Sequence, residues 1–325
     1  MNLAKFRPSA RLWPVLASLG VLILLYAGGC LLFENFGSLR VLINLFGDNA
    51  FLGVAAVGAT FVILSGGIDL SVGAVVAFTG VLIASLIGHG QPPLLAIGLA
   101  LGFGAGFGAL MGALIHLYAL PPFLVTLGGM FLARGLAFVV HPESLSIDHP
   151  FYGEFISQTL SVPVSRRLAI PFTAFALIAV VLAGAALARW SRFGRNVLAL
   201  GSSESSARLM GVPIGSTKIL VYTLGGFLSA LGGVVATFYM QSGNPASFVG
   251  LELDAIAAAV IGGTLLRGGV GYIPGTLVGV LILGLIQTLV IFQGTLNSWW
   301  TRIAVGGLLF VFIVLQQLTA RRRVG

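Results

Sequence analysis

From residue 12 to residue 318 the chain is a succession of apolar runs, most about twenty residues long and nearly free of charge. No other feature limits its possible folds as much. A helix of about 20 apolar residues matches the hydrocarbon thickness of a bilayer, where backbone polar groups must be satisfied internally. A soluble domain carries about 25% charged residues. Here 8% are charged and 58% hydrophobic, with a mean hydropathy of +1.06. A soluble enzyme, a secreted disulfide scaffold and a disordered chain are excluded. The 46 glycines suit helices that pack through small residues, and the single Cys30 forms no internal disulfide.

Ten spans are expected, near residues 12–33, 41–64, 70–88, 93–116, 121–140, 168–188, 218–240, 251–266, 270–292 and 299–318. The predicted fold is an all-α polytopic membrane protein with one transmembrane domain over residues 1–325. An outer loop, 141–167, and an inner loop, 189–217, divide it into five-helix halves at about 1–140 and 168–318. An odd number of spans per half gives the halves opposite topology. The pair Gly128-Gly129 with Arg134-Gly135 echoes Gly262-Gly263 with Arg267-Gly268, a likeness that common glycine pairs also produce by chance.

Charge sets the orientation. Of 17 Lys and Arg residues, twelve fall on the side of the N-terminus: Lys5, Arg7, Arg11, Arg189, Arg192, Arg195, Arg208, Lys218, Arg267, Arg321, Arg322 and Arg323. Three fall opposite, Arg40, Arg166 and Arg167, and two, Arg134 and Arg302, inside spans. The positive-inside rule puts both termini in the cytoplasm. It also accounts for the pI near 10.4 without nucleic acid as a partner. The first apolar run is long enough to span and reads as an uncleaved helix.

Several chemistries find no support. There is no phosphate-cradling G-x-x-x-x-G-K-[S/T] stretch, so no nucleotide cofactor is expected on this chain. His89, His116, His141 and His149 lie apart, without metal-ligand spacing. Gly104, Gly108 and Gly112 form a smooth helical face for close packing.

Four sites carry polar residues that lipid would penalise. Asn44, Asp48 and Asn49 start the second span. They either line the outer part of a solute path or form a structural network with Arg40. Gly66, Gly67 and Asp69 interrupt two apolar runs, as a broken helix facing protein or water, or as a tight inner turn capped by Asp69. Glu252 and Asp254 open a short helix that ends before Arg267, which suits the helix dipole as well as it suits solute contact. The inner loop predicts a short amphipathic helix from Ser203 to Met210, N-capped by Ser203, led by Glu204 and stopped by Gly211 and Pro213. Ala207, Leu209 and Met210 give it an apolar surface that needs a cover.

These residues resemble a known family. The run from Asn49 through Thr60 to the Leu64-Ser-Gly-Gly-Ile-Asp-Leu-Ser-Val-Gly73 segment looks like the signature of ribose-type permeases, the transmembrane subunits of bacterial ABC sugar importers. Leu251-Glu-Leu-Asp-Ala, continuing to Gly271, is similar to a second family block, and Gly194 to Gly211 to the family's cytoplasmic coupling region. The Gly294 to Trp300 stretch and the Thr60 to Gly73 run are most similar to galactofuranose permeases.

The resemblance implies a type II ABC importer fold in the bacterial inner membrane. It implies a second permease subunit, identical or homologous, two ATP-binding cassette subunits that hold the ATP, and a periplasmic sugar-binding protein. It places Gly201, Ser203, Glu204, Ala207, Arg208 and Gly211 at the coupling contact with the ATPase. Ser203 and Ser206 stand where ribose permeases usually have Asn and Ala; Ser caps a helix about as well as Asn. The rivals are an ion-coupled secondary transporter using Asp48 and Asp69, and a channel, for which no repeated filter or hydrophobic gate is visible.

Overall fold

A computed structural model describes residues 13–153, 162–165, 168–297 and 299–321. Lys5, Arg7, Arg11, Glu154, Arg166, Arg167, Arg322 and Arg323 lie outside the described residues.

The first half holds α1 (Trp13–Leu32), α2 (Leu39–Asp48), α3 (Ala50–Leu64), α4 (Val72–Gly88), α5 (Pro93–Leu117) and α6 (Pro122–Val140). The second holds α7 (Phe172–Trp190), α8 (Arg192–Ser202), α9 (Glu204–Leu209), α10 (Ile214–Met240), α11 (Leu251–Ile261), α12 (Ile273–Gln293) and α13 (Trp299–Arg321). Four short strands complete the described chain. β1 (Leu145–Ser146) pairs antiparallel with β4 (Ser242–Gly243), and β2 (Val162–Ser165) with β3 (Leu168–Ile170).

Among the described residues six helices are long and apolar enough to cross a membrane, or seven if α2 and α3, bent by 51°, count as one span. Each of the ten expected runs coincides with a helix or bent pair. The eighth differs from its expected length. α11 ends at Ile261 after 11 residues, a rise of only ~16 Å. Apolar residues continue beyond it, but Gly263 at φ +96 turns the backbone where a helix cannot follow. The glycine echo also has no structural basis. Gly128 and Gly129 lie inside the unbroken α6, whereas Gly262 and Gly263 end α11.

α3 and α10 form the interior. Fourteen of the 15 residues of α3 are buried, and α10 crosses the whole bundle from the α9 end to the β4 end. Peripheral helices expose their apolar sides, with Leu24, Leu94, Val139, Leu182 and Phe310 each more than 60% exposed. That is the pattern of a bundle solvated by lipid.

Glycines set the helix spacing. On α5, a Cβ at Gly104 would lie 2.6 Å from the Gly226 carbonyl oxygen, and one at Gly108 would lie 2.1 Å from that of Tyr222. Gly112 meets the α10 backbone at Ile219. The small face read from the sequence is therefore the α5–α10 seam. Hydroxyls add polar ties: Thr60 bonds Thr276 at 2.8 Å between α3 and α12, and Ser18 of α1 donates to the Ile261 carbonyl at the end of α11.

Candidate solute path and coupling element

Three sites lie along the bundle. At one end α8 runs into α9. Ser191 caps α8 by accepting the Gly194 N–H at 2.9 Å, and Ser203 caps α9 by accepting that of Ser206 at 3.3 Å. Gly211 follows at φ +78, a left-handed helix end. Glu204 bonds Lys218 of α10 at 2.8 Å and Arg208 at 3.3 Å. The Lys218 hydrogen bond is the first cause holding the Glu204 carboxyl below its ordinary range.

Leu209 is 90% and Met210 70% exposed. Ala207 is fully buried against Leu200 and Ile214, so it supports the exposed surface without being part of it. This corrects the expectation that Ala207 presents itself to a partner: on so short a helix, its rotation about Ser203 decides which small residue points inward.

The C-terminal end of α8 abuts two helix breaks. A Cβ at Gly201 would fall 1.9 Å from the Leu64 carbonyl oxygen and 2.6 Å from the Gly269 nitrogen. The Gly269 N–H donates to the Leu64 carbonyl at 2.9 Å. A Cβ at Gly268 would fall 2.7 Å from the Gly66 nitrogen. Backbone therefore touches backbone where α8, the end of α3 and the 262–271 turn meet. Arg267 itself is exposed there.

The second site is the break between α3 and α4. Gly66 stands at φ +84, and Gly67 leaves room for the Tyr222 hydroxyl, 2.3 Å from where a Cβ would be. Asp69 is 2% exposed; its Oδ1 accepts the Ser71 N–H at 2.8 Å and the Ser71 hydroxyl at 2.7 Å. Glu252, 9% exposed, accepts the Gly250 N–H at 3.2 Å. Its second oxygen would lie 2.4 Å from a Cβ at Gly73. Two carboxylates thus meet the first turn of α4, where the positive end of the helix dipole favours them. Among the described residues, Asp69 Oδ2 and Glu252 Oε2 accept no hydrogen bond. Between this break and α9 lies a cavity of ≈ 440 Å³, lined by Ser65, Gly66, Gly67, Pro121, Glu204, Lys218 and Tyr222 among others.

The third site is at the opposite end. Asn44 and Asp48 are exposed on one side of α2. Asp48 lies within electrostatic reach of the Tyr239 hydroxyl at the end of α10. Asn49 is buried: it donates to the Leu45 carbonyl at 2.9 Å and packs on Gly284. It sits at the α2–α3 bend, where its side chain is held inside the bundle. Asp254 is partly buried in the first turn of α11.

Tyr222 and Tyr239 escaped the residue-by-residue reading, and Arg134 was placed inside a span without a role. Arg134 carried a signal, being a lone cation inside an apolar run. It donates to the Pro245 and Ser247 carbonyls at 2.5 and 2.6 Å. The tyrosines carried none, because nothing local distinguishes them from belt or core aromatics. Among the described residues no group of three His, Cys, Asp or Glu could hold a metal ion.

Residues 41–314 match the family described as the permease component of the branched-chain amino acid transport system. The chain is 51% identical over 305 residues to the inner membrane ABC transporter permease protein YjfF of Escherichia coli, covering 94% of this chain and 92% of that one. It is 38% identical over 316 residues to the fructose import permease protein FruG of Bifidobacterium longum, covering 96% and 93%. It is 39% identical over 280 residues to the ribose import permease protein RbsC of Bacillus subtilis, covering 85% and 84%. No solved structure matches the chain.

Proposed function

Because the chain belongs to the permease-component family of branched-chain amino acid transport systems, we propose that it is the membrane-spanning subunit of an ABC importer for a monosaccharide. It resides in the bacterial inner membrane, crosses it ten times with α2 and α3 as one span and α11 as a part-span, and keeps both termini in the cytoplasm. Two ATP-binding cassette subunits dock at the α9 end and hold the nucleotide. A periplasmic sugar-binding protein docks at the β1–β4 end, and a second permease subunit completes the path. Relatives named for fructose and ribose import support a monosaccharide as cargo, and the sequence resemblance to galactofuranose permeases makes that sugar a third candidate.

One observation carries the mechanism. The exposed Leu209 and Met210 sit on a helix whose predecessor, α8, presses Gly201 against both the α3–α4 break and the α11–α12 turn. A push on α9 from an ATPase therefore reaches both breaks through backbone contacts. Backbone has no rotamers in which to dissipate a displacement. The cavity lined by Tyr222, Ser65 and Lys218 lies on the inner side of the break, where solute leaves. Asp69 and Glu252 stabilise the start of α4 while this happens.

The test is reconstitution of the permease with its ATPase subunits and binding protein in vesicles. Uptake of labelled ribose, fructose or galactofuranose should require ATP on the α9 side and survive collapse of the proton gradient by an ionophore. Asp48→Asn should retain ATP-dependent uptake. Uptake that needs the proton gradient and ignores ATP would establish the ion-coupled alternative.

A further inference from the structure

The segment between α10 and α11 is held in an unfavourable backbone shape. Gln241 and Phe248 stand at φ +49 and +62, conformations that bulky residues rarely adopt. Three ties fix the segment. Ser242 and Gly243 pair with β1, Arg134 binds the Pro245 and Ser247 carbonyls, and the Arg302 guanidinium lies 3.5 Å from the Val249 carbonyl. Backbone strain maintained this way marks a side chain held in place for use.

The side chain so held is Phe248. Its ring centroid lies 5.4 Å from that of Phe51, which lies 6.3 Å from that of Tyr239. Tyr239 is 47% exposed, and its hydroxyl lies within electrostatic reach of the exposed Asp48 carboxylate. Three contiguous rings thus stand beside a carboxylate. A carboxylate facing hydrocarbon is costly, which suits this surface to water or solute.

We propose that Asp48, Tyr239, Phe51 and Phe248 form a monosaccharide contact site at the entrance of the path. The proposal rests on the sugar-permease reading above. A sugar ring has an apolar C–H side and a rim of hydroxyls. Aromatic rings pack against the first, and a carboxylate accepts from the second. Binding sites commonly combine apolar walls with a few placed polar groups in this way. Asp48 accepts sugar hydroxyls, Tyr239 packs on the sugar beside it, and the strained Phe248 bounds the site.

The complete complex in vesicles tests this, with labelled ribose and fructose as probes. The quantities read are sugar taken up per ATP hydrolysed and the binding-protein-stimulated ATPase rate. Tyr239→Ala and Phe248→Ala should each lower sugar per ATP about fivefold, as loss of one or two contacts does, and leave the stimulated ATPase rate intact. Tyr239→Phe, which keeps the ring, should retain more than half of the parent ratio. A diazirine-bearing ribose should label the 239–248 peptide and be displaced by excess ribose. An unchanged ratio in both alanine variants, or ATPase and uptake falling together in all three, would overturn the site, as would labelling confined to other peptides. Absence of ATP-dependent uptake by the parent complex would instead overturn the sugar-permease reading itself.

Discussion

At Glu204 two cations meet one carboxylate on an exposed surface, at 2.8 Å for Lys218 and 3.3 Å for Arg208. Water screens this pair, so its contribution is small, about 0.2–1 kcal/mol. A double-mutant cycle of Glu204→Gln and Lys218→Met, read by thermal unfolding at pH 7, should return a coupling in that range. The sign of its pH dependence follows from the lowered carboxyl. A group whose folded value lies below its ordinary 4.5 stabilises the fold above that pH. The contribution disappears as pH falls through the lower folded value. The coupling should therefore be absent in acid and constant from pH 6 to 8. A coupling that grows in acid would contradict the ion pair.

At the scale of elements, the glycine contact at the end of α8 makes the sharpest prediction. A methyl at Gly201 must displace Leu64 or Gly269, an overpacking cost of about 1–3 kcal/mol. Gly201→Ala should insert and retain ATPase activity but move less sugar per ATP. Gly102→Ala, at a position with nothing within 4 Å of a Cβ, should leave the ratio unchanged. Equal ratios in the two variants would remove Gly201 from the transmission route. Most helices were legible in the sequence because lipid imposes length and composition on them directly. What stayed hidden depends on tertiary geometry. Composition runs apolar past Ile261, yet α11 stops there because Gly262 and Gly263 turn against α12. Asn49 looks like Asn44 in sequence, but the 51° bend buries it and leaves Asn44 and Asp48 outside. The Asp48–Tyr239 pair joins residues nearly two hundred positions apart, which no local pattern reveals.

Across the whole molecule, orientation rests on charge and is open to direct labelling. With Cys30 replaced by Ser, single cysteines at Ser205 and Asp148, both exposed, should react with impermeant reagents from opposite sides of the membrane. Tyr152, in the same loop as Asp148, is only 2% exposed and unsuited to the purpose. Reaction of both from one side would refute the ten-crossing arrangement.

The α5–α10 seam also tells an engineer where this protein can be hardened for purification. Replacing helical glycine by alanine ordinarily stabilises by about 0.4–1 kcal/mol through the unfolded chain. On one side of α5 that gain is closed, since Gly104, Gly108 and Gly112 have α10 backbone where a methyl would go. On the other side Gly98, Gly102 and Gly106 have nothing within 4 Å. A single helix thus carries both indispensable glycines and replaceable ones. A triple alanine variant at 98, 102 and 106 should survive detergent at higher temperature than the parent, whereas alanine at Gly108 alone should bring early aggregation.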